Sequence, residues 1–168
     1  MTAIRYHEAT KHHFHRYAKA LGYLDWDNQP NPFRFYEGVT PTQLPFAKGD
    51  PDASRMDLYE RSRNPTRKFS PENLSLFLEL SLGISAWKSI PGVKWPLRMN
   101  PSSGNLHPTE SYVILKTNEA YAPGVYHYSP YLHALEPRTI FPAGVSRQIQ
   151  GRFPAQGFLF ALTSIYWR

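Results

Sequence analysis

Arg98-Met-Asn-Pro-Ser-Ser-Gly-Asn-Leu-His-Pro-Thr-Glu-Ser-Tyr-Val-Ile-Leu115 is the most informative part of the sequence, because small polar residues and two prolines run directly into an apolar, β-branched segment. Pro101 and Pro108 restrict the residues before them to extended conformations. The small polar residues between the prolines favour turns and let a ligand approach the backbone closely. The pattern is typical of a binding loop at the start of a strand, and also of a plain turn before a buried strand.

The segments that follow this stretch predict further strands and one short helix. The run 157–166 is apolar almost throughout, which predicts a central strand. Alternating segments on either side of Ser129-Pro130 predict an antiparallel meander. The predicted elements are strands at 111–116, 125–128, 133–136 and 157–166, and a helix at 144–152.

The segment before the stretch contains the clearest helix signal. Ser70 is a favourable N-cap, Pro71 suits the first helical position, and Glu72 suits the first turn. Apolar residues recur on one face after them, and Gly83 supplies a stop. The predicted buried face consists of Leu74, Phe77, Leu78, Ser81 and Leu82.

Two weaker segments flank this helix. Residues 53–61 predict a short helical segment that leads into a group of basic residues. Residues 87–99 predict a loop, because Pro91-Gly92 and Pro96 interrupt any regular pattern.

The N-terminal part predicts a helix followed by an extended arm. Residues 5–21 carry aromatic and apolar residues three or four positions apart, and Gly22 supplies a stop. His12 and His15 come near to metal-ligand spacing, but no carboxylate adjoins them, so no metal site is predicted. Residues 23–51 are rich in proline and aromatic residues, which predicts an arm lying over the domain or against a partner.

Composition narrows the possible classes of protein. The chain has 168 residues, about one domain, and no cysteine, which excludes disulfides and thiolate chemistry. We find no signal peptide and no apolar run long enough for a bilayer, so a cytoplasmic protein without membrane contact is expected. The net charge of +6 raises nucleic acid as a partner, but the basic residues are scattered. Their one cluster, Arg61, Arg63 and Arg67, fits a single phosphate group better than a duplex.

Several short sequence motifs, taken together in their order along the chain, resemble those of the nitroreductase superfamily. The resemblance is strongest to its SagB-type dehydrogenase branch, which includes azoline oxidases. The likeness covers nearly the whole chain. These motifs are Arg61-Ser-Arg63, the helix from Ser70, Pro101-Ser-Ser-Gly-Asn-Leu-His-Pro108, Pro123-Gly-Val-Tyr-His-Tyr128, His133-Ala-Leu-Glu136, and an apolar strand ending in Trp167-Arg168.

The resemblance implies an α+β, nitroreductase-like fold, with a mixed, mostly antiparallel sheet flanked by helices and FMN held at a dimer or pseudo-dimer interface. It implies that Arg61, Ser62 and Arg63 contact the FMN phosphate and pyrimidine edge. It likewise implies that the flavin ring lies along Pro101, Ser102, Ser103, Gly104 and Asn105. NADH or NADPH is the implied reductant, and a small organic molecule or peptide heterocycle the implied substrate.

The expected organisation is a helix and arm over residues 1–52, and the first part of a nitroreductase-like FMN-binding domain over residues 53–168. Family members continue past the Trp-Arg motif, so we expect the fold to be incomplete at its C-terminus. The alternative function is a non-catalytic half-domain that binds its other half or a related subunit. His107 is the one candidate for substrate contact or proton transfer, and a packed histidine is the alternative for that position.

Overall fold

The computed structural model describes residues 2–20, 22–23, 25–49, 56–60, 67–116, 118–153 and 157–166. Its backbone contacts divide the chain into two units, Met1–Pro30 and Asn31–Arg168. The predicted division at residue 52 stays a prediction.

The first unit holds helix α1, Ala3–Thr10, which begins where the Thr2 hydroxyl accepts a hydrogen bond from the Arg5 backbone N–H. The predicted helix over residues 5–21 is too long, because α1 ends at Thr10 and Lys11 has an extended backbone. No residue of α1 is buried, so its apolar stripe gains nothing from further helical turns. The His13 N–H instead donates to the Arg16 carbonyl at 2.7 Å and closes a turn. A short 3-10 turn, Trp26–Asn28, follows.

The second unit is built on a five-stranded sheet in which every described neighbouring pair is antiparallel. The strand order is β1-β6-β5-β4-β7. This order confirms the meander, which pairs β4, β5 and β6 through short connections. The strands are β1, Thr42–Gln43; β4, Thr109–Leu115; β5, Gly124–Ser129; β6, Ala134–Ile140; and β7, Leu159–Ser164.

The predicted helix from Ser70 is confirmed as α2, Pro71–Leu82. The Ser70 hydroxyl accepts the Asn73 N–H at 3.2 Å, as an N-cap does. Buried leucines of α2 pack against one face of the sheet and form the core with it. The core cluster contains Leu44, Leu74, Leu78, Leu82, Val113, Leu115, Tyr121, Tyr126, Tyr128 and Leu135.

The predicted loop over residues 87–99 is wrong, because this segment forms an antiparallel hairpin. Its strands are β2, Ile84–Ile90, and β3, Val93–Arg98. Pro91-Gly92 is the turn of the hairpin, and Gly92 has the positive φ of 81° that such a turn requires. Pro96 pairs with Trp87 in a sheet of two strands, where each strand is an edge and a missing N–H is tolerated.

Strand β7 was expected at the centre of the sheet, and this prediction is wrong. In the described residues β7 pairs with β4 alone and forms an edge of the sheet. Leu159, Phe160 and Leu162 are 38%, 37% and 58% exposed. The continuous apolar run predicted a strand buried on both faces, whereas among the described residues most side chains of β7 are exposed and one of its edges is unpaired.

Two shorter elements complete the unit. Helix α3, Ala143–Gln150, confirms the predicted helix near residues 144–152. The described part of the predicted 53–61 segment is a 3-10 turn, Met56–Tyr59. No helix among the described residues is long and apolar enough to cross a bilayer.

Candidate functional site

The loop before β4 has an unusual backbone. Gly104, Asn105 and His107 have φ values of 64°, 57° and 49°, in the left-handed region that glycine and asparagine tolerate best. Two contacts hold this shape. The His107 N–H donates to the Ser102 hydroxyl at 3.1 Å, and His107 Nε2 donates to the Asn105 side-chain oxygen at 2.7 Å.

The buried and exposed parts of this loop are clearly separated. His107 is 1% exposed and lies beneath the loop, whereas Pro101, Ser103 and Gly104 are exposed. Of the five residues predicted to lie along a flavin ring, Pro101, Ser103 and Gly104 are thus exposed and Ser102 and Asn105 half-buried, in a turn that a buried histidine supports. A catalytic role for His107 stays a prediction, and its burial means that a substrate could reach it only if the loop moved.

One buried polar atom beside the loop lacks a hydrogen-bond partner among the described residues. The Asn100 side-chain oxygen is buried and accepts no hydrogen bond from the described residues. A buried acceptor without a donor costs free energy, which a ligand N–H placed there would recover.

The predicted phosphate-binding residues Arg61, Ser62 and Arg63 lie outside the described residues. Two basic residues close to them in sequence are described. Arg67 contacts the Asn73 side-chain oxygen at 3.5 Å, and Lys68 accepts the Asn73 side-chain N–H through its backbone carbonyl at 2.9 Å. These contacts place Arg67 and Lys68 beside the N-terminus of α2.

The loop lies near the other end of α2. The Met99 N–H donates to the Gly83 carbonyl at 2.9 Å, which ties the start of the loop to the end of the helix. Because α2 has 12 residues, its two ends lie about 18 Å apart. The basic residues and the exposed loop thus stand at opposite ends of one helix.

A largely apolar cleft of about 640 Å³ runs between α2 and the start of the β7 segment. Phe77, which was predicted on the buried face of α2, is instead 41% exposed and lines this cleft. Residues along the cleft include Arg67, Lys68, Phe69, Phe77, Leu80 and Phe158.

A buried cluster that the sequence reasoning missed lies on the opposite face of the sheet from the leucine core. His127 Nε2 is 2.6 Å from Glu110 Oε2, and His127 Nδ1 is 2.7 Å from Glu136 Oε2. The three side chains are at most 4% exposed. Two hydrogens are needed for the two bonds, so either the imidazole carries a charge or one carboxyl is protonated. In either case the cluster has a net charge of −1.

Two tyrosines cover this cluster. The rings of Tyr36, from the arm, and Tyr112 lie 5.2 and 5.3 Å from His127, and their hydroxyls are 3.0 Å apart. Burial, together with the hydrogen bond to Tyr112, raises the pKa of Tyr36 to about 12. Arg138 lies 3.5 Å from the Tyr36 ring and brings a positive charge close to the cluster. The arrangement ties the part of the arm around Tyr36 to the sheet.

Ser75 and His133 form a second polar pair, which resembles a nucleophile and its base only in composition. Ser75 Oγ is 3.0 Å from His133 Nε2 and donates to the Pro45 carbonyl at 2.5 Å. His133 Nδ1 is 2.9 Å from the Tyr128 hydroxyl. Ser75 is 1% and His133 3% exposed, so the pair is a buried tie between the arm and α2.

We expect His133 to make stability depend on pH. Burial lowers the pKa of His133, so the unfolded chain binds a proton more readily than the folded chain. The stabilisation that comes from neutral His133 is therefore fully present above pH 6.5, the ordinary pKa of histidine. It is lost as the pH falls through the pKa of His133 in the folded chain. Urea unfolding at several pH values should show this loss, and His133→Gln should lessen it. A matched change at exposed His15, His15→Gln, should not; equal slopes for all three proteins would contradict the assignment.

Among the described residues, no group of three or more histidine, aspartate and glutamate side chains is arranged to hold a metal ion. The Glu110–His127–Glu136 contacts are hydrogen bonds of 2.6 and 2.7 Å.

The antiparallel five-stranded sheet and its three helices define an α+β fold of the nitroreductase-like class. Among solved structures, the chain is similar to the crystal structure of "a putative nitroreductase" from Anabaena variabilis, with 29% sequence identity and a TM-score of 0.59 over 86% of this chain. This chain covers 27% of the length of that protein. No family model and no curated protein matches the sequence.

Proposed function

We propose that this chain contributes to an FMN-dependent oxidoreductase of the nitroreductase type, in the SagB-type dehydrogenase branch. The observation that carries the proposal is the exposed left-handed turn at Gly104 and Asn105, supported by buried His107, on a nitroreductase-like fold. When bound, FMN supplies hydride transfer, with NADH or NADPH and a small organic molecule or peptide heterocycle as the reacting partners.

The residues present fit such a cofactor. A flat ring needs backbone without bulky side chains beside it, and Gly104 and the two small serines before it provide this surface. Asn100 offers a buried acceptor for a ring N–H. A phosphate needs charged donors, and Arg61 and Arg63 would supply them. The loop would thus orient the ring, while the arginines hold the phosphate.

The apolar edge strand supports an assembly. Leu162 is 58% exposed on β7, and the cleft beside α2 is largely apolar. A second polypeptide or a second copy of this chain would cover these surfaces and pair with the edge of β7 that has no partner among the described residues. This is consistent with a cofactor site shared between two nitroreductase-like halves.

The same edge also favours the second candidate function. In that case the chain is a non-catalytic half-domain, whose exposed β7 binds its other half or a related subunit. It would keep the fold and the assembly but would not retain FMN alone.

One experiment separates the two functions. The protein is purified with added FMN and passed over a size-exclusion column, with absorbance recorded for protein and for flavin. If the first proposal is right, flavin elutes with the protein, and Asn105→Ala and Arg61→Ala each weaken FMN binding by about tenfold or more. Arg147→Ala, at a matched arginine on α3, should bind FMN normally. Protein that elutes without flavin at every FMN concentration, but with an apparent mass larger than that of one chain, would support the half-domain instead.

A further inference from the structure

A second, smaller pocket lies between the start of β2, the turn that joins β5 to β6, and the arm. Its volume is about 270 Å³. The rings of Phe46, Trp87, Tyr128 and Tyr131 line it. Three of these rings are accessible from solvent, since Phe46, Trp87 and Tyr131 are 65%, 43% and 50% exposed.

Glu79 gives this pocket its charge. Among the described residues that line the pocket, Glu79 is the one acidic side chain, and no lysine or arginine accompanies it. Its Oε2 accepts the Ala47 N–H at 2.8 Å and lies 4.0 Å from His133 Nε2. Both contacts use Oε2, so within the described part of the chain Oε1 remains for a ligand. Burial favours the neutral form of His133 by lowering its pKa, so this histidine adds no positive charge to the lining.

Rings in this neighbourhood already contact cations. Lys94 Nζ is 4.5 Å from the centre of the Trp87 ring, and the Arg98 guanidinium is 4.9 Å from that of Phe33. Trp87 and Tyr131 contact each other edge to face, with their ring centres 6.3 Å apart and their planes at 84°. The negative face of an aromatic ring attracts cations, most strongly when several rings enclose them.

We propose that this pocket binds a small organic cation, such as an alkylammonium or methylated ammonium group, against the Trp87 and Tyr131 rings that line it, with its charge directed at Glu79. The carboxylate supplies the charge partner, and the rings replace the water that the cation leaves behind. A neutral molecule of the same shape would lose the attraction to the carboxylate and to the rings. The proposal does not depend on the flavin site.

The test is calorimetric titration of the purified protein with choline, and with its neutral isostere 3,3-dimethyl-1-butanol. We expect choline to bind about tenfold or more tightly than the isostere. Glu79→Gln keeps an acceptor for the Ala47 N–H and removes the charge, and should weaken choline binding by a similar factor. Trp87→Leu, at a partly exposed position, should weaken it as well. Glu119→Gln, an exposed carboxylate outside the pocket lining, should have no effect.

Thermal unfolding of each variant shows whether it is folded, and if Glu79→Gln is not, Trp87→Leu decides the question. Equal binding of choline and its isostere would overturn the proposal and show an apolar cleft without charge selectivity. Absence of choline binding, or binding that survives the changes at Glu79 and Trp87, would overturn it too.

Discussion

Replacing His127 with leucine is expected to lower the free energy of unfolding by about 3–5 kcal/mol, the loss typical of a broken buried ion pair. The imidazole stands between two carboxylates that are almost fully buried, with bonds of 2.6 Å to Glu110 and 2.7 Å to Glu136. Leucine fills a similar volume but donates no hydrogen bond. Two carboxylates would then face each other across an apolar side chain without the group that separates them. Urea unfolding monitored by circular dichroism measures the loss.

Two further proteins make this prediction specific. His15→Leu changes an exposed histidine, and its effect should stay within about 0.5 kcal/mol. A triple variant, His127→Leu with Glu110→Met and Glu136→Met, replaces the buried charges and their partner by apolar side chains of similar volume and should recover most of the lost stability. If His127→Leu is no more destabilising than His15→Leu, the cluster does not hold the sheet as described.

The same cluster shows why part of the structure could not be predicted from the sequence. Glu110, His127 and Glu136 come from three strands, and the register that pairs His127 with both Tyr112 and Glu136 places them on one face. A shift of one residue would send each side chain to the other face. A signal was nevertheless present, since a charged residue within an apolar strand is rarely buried unless it has a partner.

Local features were predicted better, because neighbouring residues determine them. The start of α2 follows from the Ser70 hydroxyl and Pro71, and the structure confirms both. The turn at Gly104 and Asn105 has the left-handed backbone that these residue types favour. Features that depend on distant neighbours were predicted less well. Strand β7 was placed at the centre of the sheet, and the β2–β3 hairpin was read as a loop, because hydrophobic pattern alone does not say which strands meet.

Replacing Gly104 with valine is expected to weaken FMN binding by about tenfold or more, if the loop forms one wall of the flavin site. Gly104 has a φ of 64°, which costs a residue with a Cβ about 1–2 kcal/mol, and valine is among the least tolerant because it is β-branched. Its Cβ would also stand 3.4 Å from Leu106 Cγ. The turn would therefore rearrange, and Ser103 and Gly104 would no longer expose their backbone in the present conformation. Titration of FMN fluorescence with each protein measures the change in affinity.

A control variant at a second glycine, Gly92, distinguishes a general effect of backbone strain from a specific role of Gly104 in the FMN site. Gly92 has a φ of 81° in the β2–β3 turn, and a Cβ there would meet nothing within 4 Å. Gly92→Val thus imposes a comparable backbone cost at a place remote from the loop, and its FMN affinity should match that of the unchanged protein. If the Gly104→Val protein binds FMN as tightly as the unchanged protein, the loop does not contact the cofactor. If Gly104→Val and Gly92→Val lose the same FMN affinity, the loss comes from lowered stability and not from the site. If this turn forms one side of the flavin site, only the Gly104→Val protein should lose FMN affinity.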